Sequence, residues 1–299
     1  TSGAKGRRKI CLTPSAAMRR VIISADDFGL SAAVNEAVER ACREGILSTA
    51  SLMVAAPFAA DAVRRVRALP GLRVGLHVVL VDGPAACRID EIPDLLDENG
   101  RFGADQWRRG VSYFFSPRVR AQLQREIVAQ FRAFHRFGLA LDHVNAHKHM
   151  HLHPAVARLV IEIGRDFGLR ALRVPAEPPA VLGACGTPPH PAQFALYAWS
   201  RVLRRQALSA GLTVNDHAFG IAWSGHMTLP RLLRLAEHLP EGVSEIYFHP
   251  ASERDGVLKS LMPDYEHEAE LAALLDPRFA QALAAVGAHR TSYGELHRG

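Results

Sequence analysis

VIISADDFGLSAAVNEAVERACREGILSTASLMV, residues 21–54, reads as strand, helix, strand. Its opening residues are apolar or small and lack the in-out alternation of a half-exposed strand, as expected where both faces are covered. Ser31 can cap a helix over 32–44, in which apolar residues recur at 33, 34, 37, 38 and 41, one face of an α-helix. A second apolar run occupies 50–54. Strand, crossover helix and second strand in this order make the unit of a parallel sheet.

The alternation continues outward. A helix is expected over 59–69, a strand run over 73–80, a helix over 117–137 that opens on Pro117, a strand at 143–146 and a helix over 154–167. Further strand runs fall at 171–174 and 245–248. Residues 82–116 form a long Asp/Gly/Pro-containing excursion, and the Pro/Gly-dense 175–190 a loop leading into a helix over 191–211. One α/β domain is expected over 18–299, with an insertion at 175–227; a chain of this length fits a single barrel. The basic, Gly/Ser-containing residues 1–17 read as a disordered leader ahead of a natural start at Met18.

Composition bounds the class. Hydrophobic content of 48% with 22% charged residues is ordinary for a soluble globular protein. No apolar run approaches the roughly 18 residues of a membrane span. The net charge of +6 suits an anionic partner such as a membrane surface, and the lack of basic stretches interleaved with aromatics sets nucleic acid aside. Cys11, Cys42, Cys87 and Cys185 are far apart, which suggests neither a disulfide framework nor a thiolate zinc site and fits a reducing cytoplasm.

Five of the fifteen histidines, His143, His147, His149, His151 and His153, fall within eleven residues. Neutral imidazole is a common ligand for borderline metals, although a solvated His-rich loop would give the same run. Position sharpens the reading. Strand runs end in Asp26 and Asp27, in His77, in His147, in Arg173 and in His249. In α/β sheets, ligands bind at the carboxyl ends of the strands. Each residue also has a plainer reading: a turn and helix cap at Asp26 and Asp27, a core histidine at His77, a strand end at His249, and a surface ion pair at Arg173.

Adjacent aspartates on an extended segment point to opposite faces or diverge at a turn, so one can bind a metal while the other stays free as a base. Asp27, His77 and His147 would supply one oxygen and two nitrogen donors with positions left open, as in a catalytic site. That donor set favours Zn2+ or a neighbouring transition ion over Mg2+. His149 and His151 are expected to make outer-shell or substrate contacts, and His153 to cap the helix that starts at Pro154.

VIISADDFGLS (21–31), VGLHVVL (74–80), LDHVNAHKHMHLHP (141–154) and EIYFHP (245–250) together resemble the YdjC/ChbG family of carbohydrate deacetylases. That resemblance implies a distorted TIM-like (β/α) barrel that removes acetate from an N-acetylated amino sugar with one divalent metal ion. It implies Asp27, His77 and His147 as metal ligands, Asp26 as general base, His249 as general acid and Arg173 as a supporting group near the metal-side aspartate. Several members carry Asp where this chain has Asn145, and Asn cannot serve as a base. Residues 50–83, 111–117 and 172–179 are similar to the branch of hopanoid biosynthesis-associated deacetylases (HpnK). This implies an N-acetylglucosaminyl hopanoid, a glycolipid, as substrate, met at the inner-membrane surface by a peripheral cytoplasmic protein. The other readings are deacetylation of a soluble chitooligosaccharide such as chitobiose, a metal-dependent sugar isomerase or phosphoesterase, and a non-catalytic metal carrier.

Overall fold

The computed structural model describes residues 18–297, with no side-chain detail at 106–109; the leader expected over 1–17 lies outside the described residues. The elements run β1 (Arg19–Phe28), α1 (Ala32–Arg43), β2 (Thr49–Leu52), α2 (Ala59–Val66), β3 (Arg73–Val78), β4 (Gly83–Pro84), β5 (Arg101–Phe102), α3 (Gln106–Phe115), α4 (Pro117–Arg136), β6 (Val144–Ala146), a 3-10 turn (His147–Leu152) and α5 (Pro154–Asp166). Then follow β7 (Ala171–Leu172), α6 (Pro179–Ala184), α7 (Pro191–Ser209), β8 (Thr213–Val214), β9 (His217–Phe219), α8 (Leu229–Glu237), β10 (Gly242–Phe248), α9 (Gly256–Leu261), α10 (His267–Leu275), α11 (Pro277–Ala285), β11 (Ala288–Thr291) and α12 (Tyr293–Leu296).

β1 is buried from Val21 to its end, which is why its sequence reads as one unbroken run. Ser31 accepts from the Val34 backbone N–H and starts α1, whose Ala33, Val34, Ala37, Val38 and Ala41 pack inward. α4, α5 and α8 bury one apolar face each in the same manner.

Every pairing in the main sheet is parallel, in the order β8-β7-β6-β3-β2-β1-β10-β9, with β11 beside the first half of β1. β8 and β9 sit at opposite ends of that order, yet only residues 215 and 216 separate them in the chain. The sheet must therefore curl until its ends meet. The seam is held by Ala218 N–H donating to Ala176 O at 3.0 Å, and by Asn215, which accepts from Val174 N–H at 2.7 Å and donates to Val174 O at 2.8 Å. The architecture is thus a distorted TIM-like barrel with an irregular closure.

Three expectations need correction. Residues 175–190 contain the short helix α6 and are not wholly a loop. The excursion at 82–116 carries the β4–β5 hairpin and α3. His153 does occupy the N-cap of α5, but its side chain makes no capping hydrogen bond; its ring packs on Tyr113 and Phe114.

Candidate active site

The carboxyl ends of β1, β3, β6, β7 and β10 converge. At β1 the pairing with β2 shifts register between Ala25 and Phe28, and Asp27 sits at φ 60°, in the left-handed region. A regular strand would send Asp26 and Asp27 to opposite faces. The bulge instead turns both into one cavity of about 1000 Å³, which His77, His147, His149 and His249 also line.

Asp27, His77 and His147 each place a donor atom within 4.8 Å of the others. Asp27 Oδ1 is 3.1 Å from His147 Nδ1 and 3.3 Å from His77 Nε2, and the two ring nitrogens lie 3.4 Å apart. Asp27 Oδ2 is buried without a hydrogen-bond partner, a costly arrangement for a carboxylate unless a cation serves it. Burial disfavours a charged His77, but Asp26 and Asp27 outweigh it and raise the imidazole above its ordinary pKa. The spot therefore favours positive charge, and one oxygen with two imidazole nitrogens suits zinc or a neighbouring ion. Of added zinc, His77→Ala is expected to retain none at this cluster where the unsubstituted protein retains one ion per chain, as read by elemental analysis after gel filtration.

Asp26 lines the same cavity but is held by other partners. The Arg173 guanidinium donates from Nη1 to Asp26 Oδ2 at 2.5 Å and from Nη2 to Oδ1 at 3.0 Å, and reaches Glu245 from Nε at 2.8 Å and from Nη2 at 2.7 Å. Burial would raise the Asp26 carboxyl, but Arg173 prevails and holds it far below the usual carboxylate range. Glu245 is lowered by the same guanidinium against its own burial. Arg173 is fully buried, so its partners are interior carboxylates and not a surface one, and they are Asp26 and Glu245 rather than the expected metal-side Asp27, which turns to His77 and His147.

Asn145 joins the two halves. Its Nδ2 donates to Asp26 Oδ1 at 3.1 Å and its Oδ1 accepts from His77 Nδ1 at 2.7 Å. Since the ionised Asp26 can only accept, the amide orientation is fixed, and His77 must present Nε2 to the cluster. An ionised Asp in this place could accept from His77 but not donate to Asp26.

The histidine run does not stay extended. Lys148 and His149 lie at φ 49° and 55°, and the tight turn sends successive rings in different directions. His149 lines the cavity and pairs through Nε2 with the Tyr247 hydroxyl at 3.0 Å. Burial and the nearby Arg173 push its pKa down to about 3, so it is neutral. His151 lies behind the cavity, fully buried, where Nε2 donates to the Arg173 carbonyl at 3.0 Å; it supports the site without facing it. His249 follows β10 into the cavity with its backbone clamped: N–H donates to Glu270, and O accepts from His267 Nδ1 at 2.6 Å. Burial keeps its imidazole below the ordinary pKa, although Asp27 and Asp26 pull upward.

Sequence reasoning passed over Glu245, Tyr247 and Tyr265. Glu245 had a visible signal, a lone carboxylate in an otherwise apolar strand run. Tyr265, on the loop before α10, bonds the Ser224 hydroxyl at 2.6 Å and lines the cavity, with no local signal to mark it.

Residues 20–285 match the YdjC-like protein family. The chain belongs to that family. It is 30% identical over 280 residues to a carbohydrate deacetylase of Brevibacillus brevis, covering 93% of this chain and 99% of that protein. It is likewise 30% identical over 284 residues to a chitooligosaccharide deacetylase of Serratia marcescens, covering 92% and 98%. In fold it is similar to the crystal structure of a proposed cellobiose-phosphate cleavage protein from Enterococcus faecalis V583, with a TM-score of 0.74 at 21% identity over 94% of this chain and 99% of that one.

Proposed function

We propose that this protein is a carbohydrate deacetylase that uses one divalent ion to release acetate from an N-acetylglucosaminyl group carried on a hopanoid lipid. The deacetylase reading is supported by the activities named for the Brevibacillus and Serratia relatives and by the cluster of Asp27, His77 and His147 beside a second, separately held carboxylate. The lipid reading rests on one observation: the cavity has a polar floor and an apolar rim. Val111, Phe114 and Phe115 of α3 and Leu196 and Trp199 of α7 are the apolar part of its lining, and Phe114, Phe115 and Trp199 reach solvent. Phe115 is 74% exposed and Trp199 47%, and the Phe114 and Phe115 rings lie 5.1 Å apart. Adjacent exposed aromatics suit an apolar aglycone and peripheral contact with a membrane surface, for which the net charge of +6 is favourable.

Held by Asp27, His77 and His147, the divalent ion would polarise the acetyl carbonyl and acidify a water molecule. Asp26 takes the proton from the attacking water. A carboxylate held as low as Asp26 is a weak base, so it serves a proton made acidic beforehand and not one from bulk water. Arg173 and Asn145 fix both its oxygens and leave it little freedom to turn. His249 supplies the proton that the departing amine nitrogen needs. It rests neutral, so it first takes up a proton from solvent, a charge that Asp27 and Asp26 favour, and Asp26 returns the water's proton to solvent after the products leave. Bond by bond, the water oxygen joins the acetyl carbon, the C–N bond breaks, and acetate and a free amine leave.

A metal carrier would need several clusters, and among the described residues three or more metal-binding side chains converge at Asp27, His77 and His147 alone. The substrate is tested by acetate release from N-acetylglucosaminyl hopanoid against N,N'-diacetylchitobiose. Burying a large apolar group contributes about 1.5–3 kcal/mol, so kcat/KM is expected to favour the lipid about ten- to a hundredfold. Equal or better turnover of the soluble sugar would sink the lipid reading and keep the deacetylase; no acetate from either would favour the isomerase or phosphoesterase. Among the described residues, no helix is long and apolar enough to cross a membrane.

A further inference from the structure

Behind the site lies a second polar chain that the proposed chemistry does not use. Asp142 Oδ2 accepts from His143 Nδ1 at 3.0 Å, His143 Nε2 meets the Ser51 hydroxyl at 3.1 Å, and Ser51 Oγ accepts from Asn145 Nδ2 at 2.9 Å. Asn145 passes the sequence on to His77 Nδ1 at 2.7 Å and to Asp26 at 3.1 Å. The first three residues have the geometry of a Ser–His–Asp triad. Yet Ser51 and His143 are fully buried, and Ser51 Oγ is already engaged by Asn145, so no substrate carbonyl can reach it.

The direction of each bond follows from the ends. Asp142 Oδ1 is taken by Gly294 N–H at 2.8 Å and Oδ2 faces His143, so Nδ1 of His143 is the N–H and Nε2 the acceptor. Ser51 then donates to Nε2, and its oxygen is left to accept one amide hydrogen of Asn145. The other amide hydrogen goes to Asp26, and Asn145 Oδ1 can only accept from His77. No amide hydrogen or ring nitrogen in the chain is left over, which is the condition under which a buried polar network specifies one arrangement.

The backbone is built to let this happen. His143 must reach Ser51 across β3, and the β3 residue paired with Ser51 is Gly75. A Cβ on Gly75 would stand 2.5 Å from the His143 ring, so the ring crosses where that strand has no side chain. On its other face it stacks on Tyr293, ring centres 4.9 Å apart.

We infer that Asp142, His143 and Ser51 are positioning residues which, through Asn145, lock His77 with Nε2 toward the metal cluster and hold Asp26 in line with it. The inference rests on the metal reading of that cluster, whereas the direction of the bonds stands apart from it. Outer-shell partners of metal-bound histidines typically set ten- to a hundredfold in affinity. Ser51→Ala is expected to weaken zinc binding by about tenfold, measured by competition with a chromophoric chelator. Thr49→Ala is the comparison: it removes a buried hydroxyl from the same strand, bonded to Ile23 O and outside the chain, and should leave zinc affinity unchanged. Imidazole 15N spectra of the unsubstituted protein need no variant to fold and should show His143 as the Nδ1–H tautomer. An Nε2–H on His143, equal zinc affinities for the unsubstituted and Ser51→Ala proteins, or equal losses in Ser51→Ala and Thr49→Ala would each overturn the inference. An unsubstituted protein that binds no zinc but shows the Nδ1–H tautomer would overturn the metal reading, and the role inferred for the chain with it.

Discussion

Asp26→Asn is expected to lower kcat for acetate release by about 10²–10⁴-fold, the usual worth of a general base, while the protein still holds one zinc per chain. The two aspartates are neighbours in sequence and strangers in contact. Asp27 turns to His77 and His147; Asp26 turns to Arg173 and Asn145. Asn is nearly isosteric with Asp and keeps an oxygen to accept from the guanidinium, and Arg173 retains Glu245 as its counter-ion. The metal cluster should therefore feel the change little, and the missing function is the capacity to take a proton. Zinc titration and acetate assay on the same preparation separate the two roles. A zinc-replete Asp26→Asn enzyme with full turnover would mean that the proton goes elsewhere. Loss of zinc along with activity would mean that Asp26 is needed to hold the metal cluster, directly or through Asn145 and His77.

That division was half legible in the sequence. Period-two geometry predicts that Asp26 and Asp27 cannot share a face, and the two jobs were read from that. What brings both into one cavity is the positive φ at Asp27, a bulge that no propensity in DDFG announces. The histidine run shows the same limit: alternation would align four rings, whereas left-handed backbone at Lys148 and His149 scatters them.

The helices α1, α2, α4 and α5 were legible because each buries a face at helical spacing, and β1 and β3 because they run nearly unbroken in buried residues. β8, β9 and β11 were not, since two to four residues such as Thr213–Val214 or the partly charged Ala288–Thr291 carry no period at all. Nor was the polar network. His77 pairs with Asn145, and Ile22 with Glu245, only through the register of neighbouring strands. Register between strands far apart in the chain is a tertiary property, so a reading by strand ends found the residues at the mouth and missed those that hold them.

The Arg173 network sets the largest stability effect. Arg173→Met is expected to cost about 3–5 kcal/mol at neutral pH, the range found when one partner of a buried ion pair is removed. The guanidinium neutralises Asp26 and Glu245 and also donates to the Ser24 hydroxyl at 3.0 Å, and Met would fill much of the volume while serving none of these. The dependence on pH identifies the cause. In the native protein both carboxyls lie below their ordinary values of 3.8 and 4.5, so their contribution is complete above those values and fades only as pH falls through the lower folded values. Without Arg173 the burial of both groups stands unopposed and the sign reverses: their folded pKa values rise, and stability is lost as pH rises above the unfolded ones. The gap between native and variant in urea denaturation should therefore be widest near pH 7 and narrow toward pH 4. A gap of equal size at both pH values would assign the loss to packing, and a variant as stable as the native protein at pH 7 would mean that the guanidinium does not neutralise this pair.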